Sequence, residues 1–113
     1  MFIDHRRRLI FFHNPRCGGT TISRWAASLP HASAIELLWC TPSADGRPDL
    51  GHLTPRQALG RVEPTLLRHY DAFTVRRQPL SRLVSGFQEL LRQPLGCRWL
   101  NRHGIASLEE FVR

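Results

Sequence analysis

Leu9-Ile10-Phe11-Phe12-His13-Asn14-Pro15-Arg16-Cys17-Gly18-Gly19-Thr20-Thr21-Ile22 decides how the rest of this chain is read. Four apolar residues suited to a buried strand come first. The chain then turns through Pro15 and a Gly pair and restarts as a helix at Thr20/Thr21. Strand, Gly-containing turn and helix N-terminus together form an anion site, with backbone N–H groups directed outward and the helix dipole favouring negative charge. Gly18 and Gly19 let the backbone approach a phosphate without Cβ interference. Thr20 and Thr21 add hydroxyl donors, and Arg16 adds a permanent charge with a forked donor set.

Working outward, the next residues fit a helix over Thr21–Leu29, stopped by Pro30. Ile22, Trp25, Ala26 and Leu29 fall on one apolar face that is expected to pack on a sheet. The stretch 35–39 is short and apolar, either a strand or a helical turn, and 41–50 reads as a loop through Pro42, Gly46 and Pro48. Thr54-Pro55-Arg56-Gln57 carries an N-cap, a Pro at the first helical position and a capping-box Gln. A second short helix is expected from Pro64 to Tyr70, then a strand over 71–76. Pro79 opens a helix to about Arg92, with Leu80, Leu83, Val84, Phe87 and Leu91 on one face, broken at Pro94-Leu95-Gly96. Ser107-Leu108-Glu109-Glu110 is another capping box. Strands separated by helices predict an α/β fold with parallel pairing between the two main strands.

Composition narrows the partners without choosing one. The 113 residues allow a single domain with a modest core. Sixteen Arg and no Lys give a formal charge of +7, which favours anionic partners. Arg6-Arg7-Arg8 places residues 1–8 as a flexible basic arm, and the few apolar residues after it exclude a signal peptide or a membrane span there. Cys17, Cys40 and Cys97 are odd in number and widely spaced, which fits a reducing, cytoplasmic setting and neither a disulfide scaffold nor a metal site. The Arg residues are dispersed rather than gathered with aromatics, so no specific nucleic-acid partner is expected and a small basic nucleic-acid-binding protein ranks last among the readings.

The opening stretch is not the nucleotide-triphosphate loop, because it lacks the first Gly and the Lys of that motif. It resembles the 5′-phosphosulfate-binding loop of sulfotransferases that use 3′-phosphoadenosine-5′-phosphosulfate (PAPS). His13, Pro15, Gly18, Gly19, Thr20 and Thr21 match, and Arg16 stands where that family has Lys. A second strand–turn–helix segment, Phe73 to Phe87, resembles the family's 3′-phosphate-binding segment. Aligned on Pro79, it matches at Arg77 and Ser85, with Arg82 as a third basic position and Arg76 as an alternative to Arg77.

The resemblance implies a P-loop-like parallel-sheet fold of sulfotransferase type, truncated in mid-fold. It implies transfer of a sulfuryl group from PAPS to an acceptor hydroxyl, carbohydrate or similar, with adenosine 3′,5′-bisphosphate released and no metal. Pro15, Arg16, Cys17, Gly18, Gly19, Thr20, Thr21, Arg77 and Ser85 become donor-binding residues by this match. Gly51-His52-Leu53-Thr54 lies where many members carry a His segment whose His is the general base in some subfamilies, so the resemblance makes His52 the general base, ahead of His13, and Arg16 the group that stabilises the leaving group. The expected truncation carries two further expectations: a partner or second copy over exposed apolar surface, and an inactive nucleotide-binding remnant as the alternative to an enzyme.

Overall fold

The structure is a computed structural model that describes residues 1–38 and 51–112. Trp39, Cys40 and the 41–50 loop expectation lie outside the described residues. Two compact units make up the chain, Met1–Arg76 and Arg77–Arg113, where the single-domain expectation drew no boundary.

The first unit is built on a four-stranded mixed sheet in the order β3-β1-β2-β4. Its strands are β1 (Phe2–Asp4), β2 (Leu9–Phe12), β3 (Ile35–Leu37) and β4 (Asp71–Thr74). The expected parallel pair is present: Leu9 to Phe12 align with Asp71 to Thr74 in register. The parallel-sheet class implied by the resemblance is corrected to a mixed sheet by β1, which pairs antiparallel with both β2 and β3. Asp4 is opposite Leu9, so only His5–Arg8 connect the two strands, and so short a turn permits only antiparallel pairing.

The same strand corrects the flexible-arm expectation for residues 1–8. Met1, Phe2, Ile3 and Asp4 are all buried, and only His5–Arg8 are exposed, as the hairpin turn. Asp4 holds that turn. Its Oδ1 accepts from the Arg6 and Arg7 backbone N–H groups at 3.1 and 3.0 Å. Its Oδ2 accepts from Arg7 Nη1 at 3.2 Å and lies 3.2 Å from His31 Nε2. The arginine run is therefore anchored by a buried carboxylate.

The run Leu9–Phe12 is apolar throughout because the sheet is covered on both faces. Ile10 and Phe12 join Met1 and Ile3 on one face, packed by Leu53, Ala58 and Val62. Phe11 joins Phe2 on the other, against Ala26 of α1 (Gly19–Ala27). The α1 contact follows expectation at Ile22 and Ala26, which pack with Phe2 and Phe11, and departs from it at Trp25. Gly19, Ser23 and Ala26 form its buried line, whereas Trp25 is 55% exposed. Small residues at that spacing bring the helix close to the sheet and leave the indole outside the contact.

On the opposite face, α2 (Pro55–Ala58) starts with the expected capping box, both of whose reciprocal bonds are present. The next helix, α3 (Pro64–His69), has Pro at its start and leads into β4.

The second unit contains α4 (Pro79–Arg92), α5 (Pro94–Arg102) and α6 (Leu108–Phe111). The break at Pro94 was expected, but α5 was not. Pro94 also initiates a new helix, and Gly96 sits so close to α4 that a Cβ there would lie 2.3 Å from the Leu90 carbonyl oxygen. On α4, Phe87 is buried and Leu83 and Val84 half-buried, while Leu80 and Leu91 are exposed and do not join the expected face. The Ser107/Glu110 capping box is complete. No helix among the described residues is long and apolar enough to cross a membrane.

The Asp4 turn has a pH consequence. Burial pushes this carboxyl up, but the Arg7 N–H, His31 and the Arg7 guanidinium outweigh it and hold it below its ordinary 3.8. Its stabilising contribution is therefore present above the unfolded-state value and lost as pH falls through the lower folded-state value. Asp4→Asn is expected to cost about 2 kcal/mol at pH 7, the scale of hydrogen bonds to a buried charge. In urea titrations, the gap between wild type and variant should narrow below about pH 5 and close in stronger acid. A gap unchanged at low pH would contradict this account.

Candidate functional site

The cradle begins where β2 ends. His13 is buried, and its ring occupies the space beside Gly19: a Cβ at residue 19 would lie 1.9 Å from His13 Cδ2. Between them the chain reverses, with the Cys17 N–H donating to the Asn14 carbonyl at 3.3 Å. Two residues of this turn are left-handed, Arg16 at φ 62° and Gly18 at φ 83°. Gly18 adopts this conformation without a Cβ penalty, but Arg16 does so at a cost. Non-Gly residues held in this way concentrate at ligand clamps.

Gly18 is the N-cap of α1, and no side chain caps the helix. The first turn has no acidic residue, and Thr20 and Thr21 are exposed there. An anion suits these features, because the first N–H groups of a helix lack intrahelical partners and the dipole is positive at that end. Arg16 is half-buried at the edge of this turn. Cys17 is buried, so its side chain serves packing and only its backbone belongs to the cradle surface.

Beside the cradle is a cavity of about 400 Å³ at the carboxyl ends of the parallel pair β2 and β4. Ligands in open α/β sheets bind at this end of the strands. His13, Asn14 and Pro15 belong both to the turn and to the cavity wall. His52 lines it too, with its ring centroid 4.6 Å from that of His13 and the planes tilted by 46°. The expected base and the less favoured His therefore form one pair. The Thr74 hydroxyl donates to the Phe12 carbonyl at 2.8 Å and ties the two strand ends together.

Arg16, Gly18, Gly19, Thr20, Thr21 and His52 thus lie in the first unit with the cavity. Arg77 and Ser85 belong to the second: Arg77 is exposed just before the N-cap Gln78, and Ser85 is buried on α4. Arg76 is exposed at the end of the first unit. Sequence reasoning missed the β4 contribution of Ala72, Phe73 and Thr74 to the cavity. The only signal was that this strand precedes a second turn–helix segment.

No protein-family model, no curated protein and no solved structure matches this chain.

The two glycines make a discriminating pair. Gly19→Ala drives a methyl group into the His13 ring, which cannot swing away easily because it is buried between Phe11 and His52. It should cost about 1–3 kcal/mol, the usual scale of overpacking, and shift the His13 ring resonances. Gly18→Ala meets no atom within 4 Å and should cost only the left-handed backbone term, about 1–2 kcal/mol, with the His13 signals in place.

Proposed function

We propose that this chain is a sulfotransferase-like protein that binds the phosphosulfate end of PAPS at the Asn14–Thr21 cradle and presents an acceptor hydroxyl in the adjoining cavity. The observation that supports it most directly is the shared wall. An anion-suited helix start and a cavity holding two imidazoles meet at His13, Asn14 and Pro15. The finer fold assignment, a P-loop-like sheet of sulfotransferase type, rests on the parallel β2/β4 pair and the motif order.

In this reading the first-turn N–H groups, Thr20, Thr21 and Arg16 hold the 5′-phosphosulfate. The bound donor supplies an activated sulfuryl group, whose S–O bond to the 5′-phosphate breaks as a new bond forms from sulfur to the acceptor oxygen. His52 takes the hydroxyl proton, a role for which imidazole is suited near neutral pH. Arg16 offsets charge growing on the departing phosphate, so adenosine 3′,5′-bisphosphate leaves as a held anion. His13 orients the turn and the His52 ring.

Calorimetric titration with adenosine 3′,5′-bisphosphate tests the binding half. One saturable site is expected, weakened about 10- to 100-fold in Arg16→Ala, the range for losing one charged hydrogen-bonding partner. Arg16→Gly separates charge from backbone. It should weaken binding equally while the protein stays as stable or gains up to about 1 kcal/mol from relief of the left-handed strain. His52→Ala should leave bisphosphate affinity unchanged and lower transfer from PAPS by at least about 100-fold. Binding without transfer in the wild type would identify a nucleotide-binding module instead, and no binding by a folded chain would overturn the proposal.

A further inference from the structure

We infer that the groove between α1 and the edge strand β3 binds a small carboxylate with a short apolar tail, its charged head meeting Arg24 and the Ser23 hydroxyl. This site shares no lining residue with the cavity beside the cradle and does not depend on the transferase reading. Among the described residues the groove, of about 220 Å³, is lined by Thr20, Ser23, Arg24 and Ala27 of α1 and by Leu37 of β3. Positions 20, 23, 24 and 27 follow the spacing of a single helix face, so the α1 side of the groove is one continuous strip.

Ser23 is the residue that implies a ligand. It is only 6% exposed, and its Oγ is buried with no hydrogen-bond partner among the described residues. A helical Ser ordinarily turns its hydroxyl to solvent or to the carbonyl four residues back, and this one does neither. Leaving a buried hydroxyl unpaired is costly, and such a group in a folded protein calls for an explanation. Packing does not supply one. Gly19, Ser23 and Ala26 form the buried line of α1, and a methyl group at residue 23 would serve that close approach as it does at 26. The Ser23 hydroxyl therefore has bonding capacity that the fold does not use, on a residue that lines an open groove.

The neighbouring side chains define what would use it. Arg24 is exposed on the same strip, and a guanidinium matches the two oxygens of a carboxylate as a planar fork. The Ser23 hydroxyl has a proton to donate to one of those oxygens. One helical turn further on, about 5 Å along the axis, the lining becomes apolar. There Ala27 faces the groove with Leu37, which is 43% exposed. A ligand that fills both halves needs a charged head and a short alkyl tail on one small frame. Thr20, at the head end, is where the groove adjoins the cradle.

The test is a titration of the full chain followed by NMR through the methyl signals of Ala27 and Leu37. The probes are butyrate, butyramide as its uncharged counterpart, and inorganic phosphate. Saturable shifts of both residues are expected with butyrate, and binding at least about 10-fold weaker with the other two. Arg24→Gln should weaken butyrate binding by about 10-fold or more. Ser23→Ala should weaken it by about 5-fold or more while thermal stability stays level or rises, because the helix gains a better helix former and loses an unpaired hydroxyl. Lower stability in Ser23→Ala would reveal a structural partner for the hydroxyl and overturn the inference, as would unchanged butyrate affinity in that variant. Equal or tighter binding of butyramide or phosphate, or butyrate shifts that do not saturate, would overturn it too. A parallel titration with adenosine 3′,5′-bisphosphate keeps the two readings apart. Butyrate binding by a chain that takes no bisphosphate overturns the transferase reading alone, and the reverse overturns this inference alone.

Discussion

The ring of His13 occupies the space that a Cβ on residue 19 would need, and the local architecture of the first unit depends on that contact. It joins the end of β2 to the start of α1 with no spacer between ring and backbone. The residues between them then have to reverse direction in very little length, and Arg16 and Gly18 do so by adopting left-handed conformations. A larger residue at 19 would separate the strand end from the helix. The turn would relax, and the start of α1 would move from the mouth of the cavity. The Gly pair thus has two different duties. Gly18 provides backbone freedom, whereas Gly19 provides the absence of a side chain.

A second constraint lies at the other end of the same strand. Three consecutive arginines are a poor start for a sheet, yet β1 and β2 are joined through them. The buried Asp4 carboxylate makes this possible by collecting two backbone N–H groups and the Arg7 guanidinium at the turn. This was hard to read in the sequence for a physical reason. Phe2–Asp4 is too short for alternation to register, and charge density at Arg6–Arg8 suggested solvation. The decisive residue is a single aspartate whose partners are mostly main-chain groups. What was legible was what is encoded locally: the apolar run at Leu9–Phe12, the capping boxes at Thr54 and Ser107, and Pro at the starts of α2, α3 and α4. The faces of the helices were less legible. Ala26 packs as its place in the helical period implies, whereas Trp25 stays exposed and the small Ser23 is buried, because close approach to the sheet favours small residues.

The candidate site divides along the same line. The cradle is contiguous in sequence, so its strand, turn and helix start were readable from Leu9 to Ile22. The cavity is not contiguous. It gathers the end of β2, the His52–Pro55 segment and the end of β4, and those meet only because β4 pairs in parallel with β2. Parallel pairing was expected, but which side chains it would bring to the mouth depends on register. That register places Thr74 opposite Phe12, close enough for a hydroxyl–carbonyl bond that fixes both strand ends. The proximity of His52 to His13 likewise follows from tertiary packing through Leu53, which joins the core cluster of Ile10 and Phe12.

The distribution of charge around this seam is its most informative chemical property. Among the described residues no arginine lines the cavity, while Arg16 stands at the turn next to it. The anion-suited turn and the apolar wall are neighbouring surfaces that share His13, Asn14 and Pro15. For the proposed transfer, that division has a physical logic. Electrostatic groups act most strongly on developing charge where water is excluded and their dipoles are already oriented. An apolar wall helps exclude water, and a helix start fixed by the His13–Gly19 contact needs little reorganisation. The price of that fixed arrangement is backbone strain at Arg16, placed at the seam between the two surfaces.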